Sequence, residues 1–236
     1  MFESLRDYSN PNSLGSRFRR RRFRRVERLV RHVLDTRPEC RIFDVGGTAV
    51  YWGLMAPELL SRCVITVSNL EQPVGGDPRR NVPEFGRFEF HYGDGRDLSD
   101  IASGAYDITH SNSVVEHVGS FADMRRFAGE LVRIGRYYYM QTPNQWFPIE
   151  PHFGALFVHW LPLPLRARLL TWWGFGFLQK SPSLAAAYER VESINLIDTR
   201  GVRELLPAAM IRKERLLLLT KSIIAIGPGD AVDGFL

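Results

Sequence analysis

Arg41-Ile42-Phe43-Asp44-Val45-Gly46-Gly47-Thr48 is the stretch on which the fold turns. An apolar run closes on an aspartate, two glycines follow at once, and a helix-compatible segment comes next, around Trp52 to Leu60. A buried parallel strand delivers its backbone to a nucleotide-like ligand in this way. The glycines let the main chain turn sharply and approach the ligand with no Cβ between them. A dinucleotide fingerprint would need G-x-G-x-x-G. Here the glycines are adjacent, and Tyr51-Trp52 stand where a third glycine would let helix and strand close up, so a nicotinamide or flavin site fits poorly.

The neighbouring segments extend the pattern. Cys63 to Ser68 is a β-branched run and reads as a second strand. Phe88 to Tyr92 alternates as a third strand and ends at Gly93-Asp94-Gly95; Tyr106 to Ser111 is a fourth. Phe121 to Ile134 carries apolar residues at helical spacing, and Arg136 to Gln141 is a fifth strand stopped by Pro143. Asp198 can cap a helix that runs to about Leu206. Lys213 to Leu219 and Ser222 to Ile226 form a closing antiparallel pair. Strands alternating with helices predict an α/β, Rossmann-like, mostly parallel sheet covered on both faces.

The chain divides into a loose arm and basic helix over 1–37 and a main domain over 38–236. An aromatic, proline-interrupted stretch, 145–190, fits no sheet element and reads as a helical insertion after the fifth strand. Apolar residues make up 44% of the 236 and charged residues 24%, an ordinary globular composition large enough for one sizeable core. Cys40 and Cys63 lack metal-ligand spacing and read as reduced core residues of a cytoplasmic protein. The first apolar run comes late and is broken by arginines, so no signal peptide is expected, and no apolar run reaches the eighteen residues of a spanning helix.

In open α/β sheets ligands sit beyond the carboxyl ends of the strands. Here those ends carry Asp44, Gly46 and Gly47; Asn69 and Leu70; Asp94 and Gly95; Ser111, Asn112 and Ser113, then Glu116 and His117; and Gln141, Thr142, Pro143 and Asn144. The pieces Phe43-Asp44-Val45-Gly46-Gly47, Gly93-Asp94-Gly95 and Tyr106 through Val118, above all its Ser-Asn-Ser and Glu-His-Val, resemble the class I S-adenosylmethionine-dependent methyltransferases that act on small molecules. The resemblance covers roughly Pro38 to Pro143 and implies a seven-stranded sheet with the last strand antiparallel. It implies S-adenosyl-L-methionine as cofactor. Asp44 and the backbone of Gly46 would hold its methionine end, and Gly47 would allow close approach. Asn69, with Leu70 beside it, would meet the ribose, Asp94 and Gly95 would flank the adenine, and Ser111 would line the methionyl side. At the ribose position the family usually has an acidic residue where this chain has Asn69; an amide still offers a donor and an acceptor to a diol, and Glu71, two residues on, is the alternative.

Methyl transfer asks the protein to align a nucleophile, exclude water and, where needed, take a proton. Candidate bases are His117, His152 and Glu150. The segment from Thr142 to Phe153 leaves the fifth strand's carboxyl end over the site, so Asn144, Trp146 and Phe147 are candidate acceptor contacts. Glu116 and His117 lack the further carboxylates a divalent ion would need, and no metal is expected. The acceptor is expected to be a small, lipophilic or glycosylated metabolite, methylated on oxygen in preference to nitrogen.

Nine arginines lie between Arg17 and Arg31, opposed only by Glu27. They read as a solvated helix face, an anionic-lipid contact or a nucleic-acid contact. Phe18 and Phe23 among them favour a peripheral membrane contact, aided by the Trp-rich insertion, which suits a lid or a homodimer contact equally. No RNA- or DNA-binding module surrounds the run, so nucleic acid is the weaker partner. An RNA methyltransferase and a non-catalytic, membrane-associated relative are the alternatives in function.

Overall fold

The computed structural model describes residues 13–71, 82–149, 154–174 and 178–234. The predicted strands form β1 (Cys40–Val45), β2 (Cys63–Asn69), β3 (Arg87–Tyr92), β4 (Tyr106–Asn112), β5 (Gly135–Pro143), β6 (Met210–Leu216) and β7 (Leu219–Gly227). They make one sheet in the order β3-β2-β1-β4-β5-β7-β6, in which β7 alone runs against the rest. The central strands β1, β2, β4 and β5 are buried nearly throughout, as their continuous apolar sequences require. Strand order reverses between β1 and β4, and the crevice above that point is where an open α/β sheet receives a ligand.

One face of the sheet is covered by α1 (Leu14–Leu34), α2 (Ala49–Trp52) and α3 (Pro57–Leu60). Phe23, Val26, Leu29 and Val30 of α1 share a core with Trp52, Leu60, Ile42, Ile108 and Tyr139, so the basic helix is an integral part of the domain. The other face is covered by α4 (Phe121–Ile134) and α7 (Thr199–Leu205), whose Phe127, Leu131 and Val202 pack on Phe43, Met140 and Ala225. The insertion contributes α5 (Leu163–Trp172) and α6 (Leu184–Glu192), which bury Ala167, Leu170, Ala187 and Val191 in a small core of their own. Among the described residues no helix is long and apolar enough to cross a membrane.

Local chemistry sets the boundaries. Ser120 and Asp123 form a capping box that fixes the start of α4 where its pattern predicts it. Asp198 caps α7 by accepting from the backbone of Arg200 and Gly201. Three expectations are corrected. The single helix expected around Trp52 to Leu60 is two separate turns, because Gly53 ends the first and Pro57 can only begin the second. The fifth strand continues to Pro143, whose missing N–H falls at the end of the ladder, opposite Ser222. The closing hairpin turns at Leu217-Leu218, so Leu219 opens β7 instead of ending β6.

Candidate functional site

The carboxyl ends of β1 to β4 enclose a cleft with two compartments, and Gly46 lines both. Gly46 has φ +72°, and a Cβ there would lie 2.6 Å from Cγ2 of Val114, so the loop can only be this close as glycine. The next residue is as constrained: a Cβ on Gly47 would collide with the Asp44 carboxylate.

The first compartment encloses about 620 Å³ with its open mouth. Val45, Val114 and Phe127 give it apolar walls; Asn69, Asp94 and Arg96 give it a polar rim, with Leu70 and Gly95 alongside. Asn69 Nδ2 donates to the Gly47 carbonyl at 3.2 Å, which ties the β2 end to the glycine loop. Arg96 holds both oxygens of Asp94 at 2.6–2.9 Å, and its guanidinium keeps that carboxyl below the usual carboxylate range. His117 also lines this compartment. Its Nδ1 lies 3.1 Å from the Ser193 carbonyl, so Nδ1 must carry the proton and Nε2 is the basic position of the neutral ring.

The second compartment, about 720 Å³ with its mouth, is built on a buried polar cluster. The β1–β4 register sets Asp44 directly beside His110. His110 Nδ1 meets Asp44 Oδ1 at 2.7 Å, and Trp52 Nε1 donates to Oδ2 at 2.8 Å. Both carboxylate oxygens are thus engaged, and Asp44 is fully buried. His110 stacks on Tyr139, with ring centres 5.2 Å apart and planes within 13°, and Tyr51 covers its other side. Burial pushes the phenols of Tyr51 and Tyr139 up. Among the described residues His110 Nε2 has no hydrogen-bond partner. Arg19 and Arg22 of α1 close the compartment. Arg22 is buried; it donates to Gln141 Oε1 at 2.6 Å and lies 3.6 Å from Glu214.

Most of the expected cofactor residues therefore converge: Asp44, Gly46, Gly47, Asn69, Leu70, Asp94 and Gly95 all line the cleft. Ser111 does not. Side chains alternate along β4, so Ser111 shares the α4 face with Thr109, while His110 and Asn112 turn toward the second compartment, joined there by Ser113. The expected acceptor contacts do not reach either compartment. Asn144 donates to the Thr220 carbonyl, Trp146 Nε1 donates to Asp198, and Phe147 is buried. Glu150 and His152 lie outside the described residues. Phe23, expected at a membrane surface, is 2% exposed, with its ring edge-on to Tyr51 and Trp52. Glu116 is buried and accepts from the Thr142 hydroxyl. Among the described residues no group of three or more His, Cys, Asp and Glu side chains is placed to hold a metal ion.

Sequence reasoning passed over His110, Arg19, Arg22 and Arg96. One signal was available for His110: an ionisable ring in the middle of an otherwise buried strand requires a buried partner.

No protein-family model and no curated protein matches the sequence. Solved structures do match. The magnesium protoporphyrin IX methyltransferase of Synechocystis PCC 6803, solved with bound SAH, aligns at a TM-score of 0.53 and 12% identity over 95% of this chain and 92% of its own. The CurJ carbon methyltransferase aligns at 0.51 and 13% over 84% of this chain and 51% of its own. A Rhodobacter sphaeroides structure described as a Zn-dependent alcohol dehydrogenase aligns at 0.51 and 12% over 81% of this chain and 84% of its own. The topology separates these likenesses. A dinucleotide-binding sheet runs 3-2-1-4-5-6 with its strands parallel, whereas here an antiparallel β7 is inserted between β5 and β6. The chain has the fold of the class I S-adenosylmethionine-dependent methyltransferases.

Proposed function

We propose that this protein binds S-adenosyl-L-methionine in the two-compartment cleft and transfers its methyl group to a small-molecule acceptor. The observation that carries the reading is the division of the cleft at Gly46, with apolar walls on one side and paired arginines with a buried aspartate on the other. An adenosine fits the first chemistry: Val45, Val114 and Phe127 can pack on a base, and the Asn69 amide can bond a diol. The amino-acid end fits the second: Arg19 and Arg22 can receive a carboxylate, and the Asp44–His110 pair favours an ammonium. When bound, this cofactor supplies an electrophilic sulfonium methyl.

The protein's own part is alignment, exclusion of water and proton uptake. His110 offers Nε2, oriented by Asp44, beneath the second compartment, and His117 lines the first. A proton acceptor suits an oxygen nucleophile in preference to an amine that is already basic, which supports O-methylation. The exposed aromatic groups of the insertion support a lipophilic acceptor. The RNA reading is weakened because Arg22, central in the basic run, is turned inward onto Gln141 and Glu214.

Isothermal titration with S-adenosylmethionine and S-adenosylhomocysteine tests the reading. One site per chain is expected. A folded protein that binds neither would overturn it.

A further inference from the structure

The β6–β7 hairpin ends in Leu217 and Leu218, which are 89% and 93% exposed, and Leu219 follows at 49%. Leu217 also has φ +54°. The first central position of a two-residue hairpin turn with positive φ ordinarily holds Gly, Asn or Asp, because a larger side chain meets the backbone there. The position thus breaks two local rules at once. It presents a large apolar group to water, and it holds that group in a left-handed backbone. Neither is repaid by packing within the described fold, and such unrepaid violations mark places shaped by something outside the fold.

The surroundings of the tip are basic. Lys213 and Arg215 are exposed on β6 just below it. Helix α1 climbs beside the hairpin: Arg22 pairs with Glu214, and one turn nearer the helix start Phe18 lies under Lys221, whose Nζ is 4.8 Å from the ring centre. His32 meets Tyr137 early in β5 and Arg22 meets Gln141 late in it, so the start of α1 lies toward the carboxyl ends of β5 and the parallel β6, which brings the exposed Arg17 and Arg21 to the tip's end of the molecule. The insertion leaves the sheet at the same edge, where Asn144 is bonded to the Thr220 carbonyl. Its exposed Trp146 and Trp160 lie with ring centres 6.3 Å apart.

We propose that this edge docks on an anionic lipid surface, with Leu217 and Leu218 entering the acyl region, Arg17, Arg21 and Arg215 on the headgroup phosphates, and Trp146 and Trp160 at the interface. Apolar residues ringed by cations are complementary to such a surface, and tryptophan prefers its boundary. A second copy of the chain is the poorer occupant. The outer edge of β6 carries Arg212, Lys213 and Arg215, and cations on an edge strand oppose pairing with a like edge. The inference goes beyond methyl transfer and does not depend on it.

Flotation of the full chain, without cofactor, on phosphatidylcholine and on mixed phosphatidylcholine–phosphatidylserine vesicles tests the proposal. Binding is expected to the mixed vesicles and to weaken with salt. The Leu217→Asn/Leu218→Ser variant keeps the turn, since asparagine tolerates positive φ, and a thermal melt checks its fold. Its partitioning should fall about tenfold per leucine. The Arg17→Ala/Arg21→Ala variant should lose about fivefold per arginine. Failure of the parent to float on mixed vesicles overturns the proposal, as does a folded leucine variant that floats like the parent. A dimer in sedimentation that needs both leucines, with no flotation, assigns the tip to a second copy instead.

Discussion

Replacing His110 by leucine probes the floor of the cleft. The substitution nearly conserves side-chain volume and removes one of the two donors to the Asp44 carboxylate, leaving only Trp52. Asp44 is fully buried, and the leucine takes up the imidazole's place without offering a donor. A hydrogen bond to a charged group contributes about 1.5–3 kcal/mol, and stranding a buried charged acceptor costs at least as much. The expected loss is therefore about 3 kcal/mol, which for a chain of this length lowers Tm by about 6–12 °C. A double-mutant cycle isolates the pair. Asp44→Asn removes the charge but keeps one acceptor oxygen, so His110→Leu in that background should cost about 1 kcal/mol, a coupling near 2 kcal/mol. Denaturant titrations of the four proteins at neutral pH, with calorimetry for Tm, give the numbers. If His110→Leu costs the same in both backgrounds, the two side chains are not coupled and the buried dyad is wrong.

Two further predictions concern the same region. Gly46→Ala should lose about 1–2 kcal/mol from its left-handed backbone alone. Its Cβ must also push Val114 into the first compartment, so S-adenosylhomocysteine affinity should fall at least tenfold while the melt shows a folded protein; unchanged affinity would show that this loop is not a ligand wall. Burial, with the charge of Arg22, lowers Lys221 from 10.5 to about 8 against the opposing pull of Glu214. Below that value both folded and unfolded chains hold the proton and the penalty is complete. Between about 8 and 10.5 the unfolded chain holds more protons, so stability should rise with pH by up to about 3 kcal/mol. Lys221→Met should flatten the rise, and a parent protein with the same pH profile as this variant would contradict the assignment.

The glycine-loop side of the cleft was legible because its signals are local. A strand that ends in Asp44-Val45-Gly46-Gly47 specifies its own turn, and Asn69 and Asp94 reach the cleft simply by closing the strands before them. Ser111 lies outside both compartments although its neighbours His110 and Asn112 line one, because one step along a strand changes the face. The expected acceptor contacts fall outside both compartments for a different reason. Position after a strand end places Asn144, Trp146 and Phe147 near the site, but their side chains are claimed by the β7 edge, by the α7 cap and by the core.

By itself the sequence determined the strand and helix alternation, the glycine loop and the sheet end where the cleft opens, since these follow from periodicity and turn chemistry within a few residues. Only the tertiary structure decided that Asp44 meets His110 from another strand, that Arg22 is a buried wall of the cleft, and that the leucines of the hairpin stand clear of the core beside the start of α1. Those pairings join residues 66 to 203 positions apart. Strand order and helix placement create them, and no local pattern records which distant residue will be the partner.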